Sequence, residues 1–114
     1  MPLRHRVHAG TSLSNALQTL LTFGANLVEG GAITWGFLVV NNDATAHSVQ
    51  VYIIPSGLAA GTAYLRWSGS VPAGESVAIN GPFHNDSSAF IQAISDAASP
   101  VTGIVVTASE EYAQ

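Results

Sequence analysis

The stretch ITWGFLVVNNDATAHSVQVYIIPSG, residues 33–57, decides the fold of this chain. Its first half places Ile33, Trp35, Phe37 and Val39 at every second position. Its second half does the same with Val49, Val51 and Ile53, while Ser48, Gln50 and Tyr52 take the alternate positions. Period two sustained over two consecutive segments is the pattern of half-buried strands. Asn41, Asn42 and Asp43 lie between them, and short polar side chains of this kind bond nearby backbone and tolerate left-handed conformations. The stretch is therefore expected to form a β-hairpin, with strands at about 32–41 and 47–54, followed by a loop at Pro55-Ser56-Gly57.

Downstream the same grammar continues. Residues 63–68 alternate Leu65 and Trp67 with Tyr64 and Arg66. Pro72-Ala73-Gly74 forms a turn, because proline presets the first position and glycine supplies positive φ. Residues 76–80 form a short strand with Val77 and Ile79 inward, which Gly81-Pro82 is expected to end. Residues 84–88 are a polar loop, residues 89–95 and 101–108 are strands, and Glu110, Glu111 and Gln114 belong to a polar tail. Upstream, Leu13, Leu17, Leu20 and Leu21 fit a helix, whereas Leu17, Thr19, Leu21 and Phe23 fit a strand. A strand over residues 17–22 is the reading consistent with the β pattern that follows. Residues 26–31 read as a turn region. Residues 1–12 mix Pro, Gly, Arg and His without a burial period and read as a flexible arm. Short strands separated by turn signals every 8 to 12 residues or so describe an antiparallel β-sandwich. The expectation is an all-β, jelly-roll-like single domain over residues 13–114, preceded by the arm.

Composition limits the function. The 114 residues suffice for one core, yet only 9% are charged, against about 25% in ordinary soluble domains. Lysine is absent, and two of the three arginines fall in the first six residues. So neutral a surface is expected to be covered by other protein. A net charge of -4 argues against general nucleic-acid binding, which needs a basic face. Without cysteine there is neither a disulfide frame nor a thiolate site. No apolar run approaches the roughly 18 residues of a membrane span, and no secretory leader is written at the N-terminus.

Catalytic constellations are hard to find. His5 and His8 stand three apart, but a metal site needs further ligands. His84-Asn85-Asp86 lacks the second acidic group a calcium loop requires. Glu75, Asp86 and Asp96 lie in turns that explain them without a facing carboxylate. Ser56 has no nucleophile elbow around it, and the glycine pairs precede no phosphate-binding helix. No catalytic, cofactor or metal residue is assigned. Trp35 and Trp67 share their faces with core residues and are expected to be buried. Tyr52 and Tyr64 fall on the opposite faces and suit a protein interface. A glycan-stacking surface is the competing use of these tyrosines.

The order of these motifs resembles the small β-sandwich virion proteins of tailed bacteriophages. The resemblance runs through FLVVNNDATAHSVQVYIIPSGLAAGTAYL, VPAGESVAI and GPFHNDSSAFIQAISDAASPVTGIVVTASEE, and covers roughly two thirds of the chain. Its marks are Asn41-Asn42, Tyr52, Pro55-Ser56-Gly57, Pro72-Ala73-Gly74 and the small-residue strands over 89–106. The basic arm Arg4-His5-Arg6-Val7-His8 and the segment 27–31 fall outside that plan. The resemblance implies a non-catalytic structural protein of the virion, made in the host cytoplasm. A capsid decoration or cement protein fits best; a tail or head-tail joining component is the alternative, and a carbohydrate-binding module is the third reading. The implied partners are further copies of itself, a trimer being one form that fits, and the major capsid protein. No nucleic acid, membrane or cofactor is expected. Arg4, His5, Arg6 and His8, with Tyr52 and Tyr64, are the expected partner-binding residues, because guanidinium groups fork onto carboxylates.

Overall fold

A computed structural model describes residues 3–7, 10–22, 32–85, 88–96 and 104–113. The chain forms strands β1 (Leu3–Val7), β2 (Thr11–Ser12), β3 (Gln18–Thr22), β4 (Ala32–Asn41), β5 (His47–Ile54), β6 (Leu65–Val71), β7 (Ser76–Asn85), β8 (Phe90–Ser95) and β9 (Ile104–Ala113), with a 3-10 turn at Thr62–Tyr64. One sheet has the order β1-β9-β4-β7, with β2 continuing the β1 edge along β9. The other has the order β3-β8-β5-β6, and every pairing is antiparallel.

The pairings nest. β1 and β2 pair β9, β3 pairs β8, β4 pairs β7, and β5 pairs β6. A long hairpin folded over on itself gives this arrangement, the jelly-roll plan of two Greek keys. The expected sandwich is thus present.

The expected hairpin over residues 33–57 is not. Both strands have the predicted bounds, but β4 lies in one sheet and β5 in the other. Period two says which face of a strand is buried; it does not say which strand is its neighbour. The turn 42–46 carries the chain across the sandwich, roughly 10 Å. Phe37 and Val39 then face Val49, Val51 and Ile53 within one core, alongside Leu13, Leu21, Val71, Ile79, Ile91, Ile104 and Val106.

Two further departures follow from local backbone. β7 does not stop at Gly81-Pro82 but runs through it, with a cis peptide bond there. Opposite, the register shifts: Thr34 pairs Phe83 while Gly36 pairs Asn80, so the extra residue here lies on β7, whereas against β9 it is β4 that bulges, Ile33 pairing Glu111 and Phe37 pairing Ala108. Gly36 has φ 155°, and a Cβ at that position would lie 2.4 Å from the carbonyl oxygen of Ile79. Only glycine fits. The bulge shifts the alternation by one residue: Thr34 and Phe37 are buried, and Trp35 is 50% exposed. Trp35 is therefore not a core residue, contrary to its sequence pattern. Trp67 is half-buried against the core and lies over Gly69.

The arm is paired rather than loose over residues 3–7, and the tail is its partner. The register sets Arg6 opposite Glu110 and His5 opposite Glu111. A strand edge needs only backbone groups from its neighbour, so a segment without a burial period suffices.

Candidate functional sites: an uncharged outer face and a histidine cluster

The bulge in β4 creates the first site. On the outer face of the β1-β9-β4-β7 sheet, Leu38 stands between Ala78 of β7 and Thr107 of β9. The next row is Ser76, Val40 and Val105, and Asn80 lies beside Gly36 on the other side. Leu38 is 45% exposed, and with Trp35, Asn80 and Thr107 it lines a shallow groove. No residue of these rows carries a charge. Trp35, 50% exposed, stands beside these rows.

The second site lies at the end of the sandwich where the β2–β3, β4–β5 and β6–β7 connections cross between sheets. Asn41, fully buried, is its hub. Its Nδ2 donates to the carbonyls of Thr45 (2.9 Å) and Val71 (3.0 Å), and its Oδ1 accepts the Asp43 N–H at 2.9 Å. Its own N–H donates to the Glu75 carbonyl. The side-chain amide so joins the β4–β5 crossing to the end of β6.

Beside it stands His47, the first residue of β5. Its Nε2 is 2.7 Å from Asp43 Oδ2 and its Nδ1 is 2.7 Å from Asp96 Oδ1. A neutral imidazole has one N–H, so only the protonated ring donates to both carboxylates. The hydrogen bonds to Asp43 and then Asp96 raise the His47 pKa above its ordinary 6.5, against a smaller opposing effect of burial. The bond from His47 holds Asp43 below the ordinary carboxylate value. For Asp96, burial pushes upward, but the bonds from His47 and the Ser48 N–H together leave it lowered as well. With both nitrogens committed as donors, the ring holds no lone pair for a substrate proton. The arrangement is a brace between two carboxylates.

The residues expected to bind a partner are not brought together. Arg4, His5 and Arg6 lie on β1, in register with Tyr112, Glu111 and Glu110; His8 lies outside the described residues. Tyr52 is on the opposite sheet, half-buried, and its hydroxyl donates to Gln50 Oε1 at 2.9 Å. Tyr64, also half-buried, ends the 3-10 turn. Asp86, considered for a calcium loop, lies outside the described residues.

The sequence reading leaves His47 out and takes Asp43 and Asp96 only as turn residues. Their spacing of four is a weak signal, and Asp96 is 49 residues away from His47. The exposure of Trp35 had a better one: a glycine inside a strand pattern, which often marks a bulge. No protein-family model matches the chain, and a search of curated proteins finds no relative.

Proposed function

We propose that this chain is a non-catalytic structural protein of a bacteriophage particle, a capsid decoration or cement protein that assembles with itself and binds the head. The observation that carries this reading is the uncharged rows through Leu38 and Val40 with Trp35 exposed beside them, in a chain with only 9% charged residues. Viral capsid and lectin domains share the jelly-roll plan, so the surface has to discriminate between them. Charge-free rows beside a half-exposed tryptophan suit packing against protein. The order of the Asn41-Asn42, Pro55-Ser56-Gly57 and Pro72-Ala73-Gly74 motifs, shared with small virion β-sandwiches, supports the same conclusion.

The test is a titration of the purified protein onto undecorated phage heads, with mass spectrometry of intact particles beside it. Saturable binding to heads, and the chain's presence in particles at high copy number, are the expected results. Recovery with isolated tails would move the protein to a tail or head-tail joining role. Absence from particles altogether would overturn the reading.

A further inference from the structure

We propose that Asp43, His47 and Asp96 form a proton-dependent clip that fastens the β4–β5 crossing to the end of β8 and releases it in alkaline solution. The geometry carries the argument. Asp43 lies within the crossing, His47 begins β5 and Asp96 follows β8 directly, so one ring bridges two connections distant in sequence. The β5–β8 ladder begins beyond it at Val49 and Ser95, and Asp96 meets Ser48 through its N–H, at 3.2 Å from the Ser48 carbonyl, and through its carboxylate, which accepts the Ser48 N–H. The crossing itself is tied to Asn41 through Thr45 and Asp43 and to Asp96 through the His47 ring.

Loss of the ring proton leaves one N–H for two carboxylates. The nitrogen lone pair then faces an anionic oxygen at 2.7 Å, and one arm of the clip must open. Among the described residues the groups around the ring do not replace the lost donor. Val71, paired with His47 on β6, is apolar, and Thr45 Oγ1 is 3.4 Å from Nε2. Glu75, on the β6–β7 turn, is bonded to the hub through its backbone carbonyl. Among the described residues only Asp43 and Asp96 form ion pairs with His47.

The direction of the pH effect follows. His47 has a raised pKa, so its contribution is complete below 6.5 and is lost as pH rises through the folded value. Both aspartates have lowered values, so theirs is complete above 3.8 and is lost as pH falls through the folded values. The clip is closed between these limits. It sits where sheet-to-sheet crossings gather, and its opening loosens that end, including the bonds by which Asp43 and Thr45 meet Asn41.

Two measurements on the intact chain test this. An NMR titration of the His47 ring should give a midpoint above 6.5, and Asp96→Asn should lower it. Amide exchange at residues 43–46, corrected for its intrinsic pH dependence, should quicken at least tenfold between pH 6 and pH 9. In His47→Gln it should be fast throughout, with no further pH step. A wild-type midpoint at or below 6.5, or corrected exchange that does not change with pH, overturns the proposal. The wild-type titration decides the matter even if a variant fails to fold.

Discussion

At the scale of single residues, Asn41 shows how a polar group can be worth more than an apolar one in a core. It is fully buried, and its amide satisfies two carbonyls and one N–H. Asn41→Ala leaves these groups stranded, at about 1–3 kcal/mol for each that water does not reach. Urea denaturation should show a loss of roughly 3 kcal/mol in total. A loss below about 1 kcal/mol, the level of surface substitutions, would mean the hub is dispensable. The sequence marked Asn41 as a turn former and no more. Turn chemistry depends on near neighbours, whereas the bond to the Val71 carbonyl joins residues 30 positions apart. Trp35 was misplaced for a related reason: alternation is read by counting, and one bulge shifts the count.

At the scale of elements, the bounds of β4 and β5 were legible to the residue because both have one apolar face and polar ends. Their pairing was not, since nested jelly-roll partners lie far apart in the chain. β1 was missed altogether. It has no burial period to detect, and what pairs it is the backbone of β9. That pairing has a consequence. Deleting residues 1–7 removes the backbone bonds of a five-residue strand, each worth about 0.5–1.5 kcal/mol net before the ordering cost of the segment is subtracted. The truncated protein should melt several degrees lower, by about 1–3 kcal/mol in stability. It should also aggregate with rising concentration, because an uncovered β9 edge is a template for another chain. Calorimetry with light scattering would check both. An unchanged melt with no aggregation would show that β1 contributes nothing to the fold.

At the scale of the whole molecule, the account rests on one sheet face. The sandwich buries its inner faces, the arm covers one edge, and the outer rows around Trp35 and Leu38 are left with no charge to keep copies apart. Low charge was visible in the composition, but the exposure of Trp35 on this face depends on the bulge and on the register of β4 with β7 and β9. The most direct measurement is the solution mass of the purified protein by light scattering at micromolar concentration, for wild type and for Trp35→Asp. The prediction is a wild-type mass that is a multiple of 11.8 kDa, falling toward the monomer in Trp35→Asp while the melting temperature stays within a few degrees. A wild-type monomer, or an oligomer that Trp35→Asp leaves intact, would contradict the claim that this face is where the protein assembles.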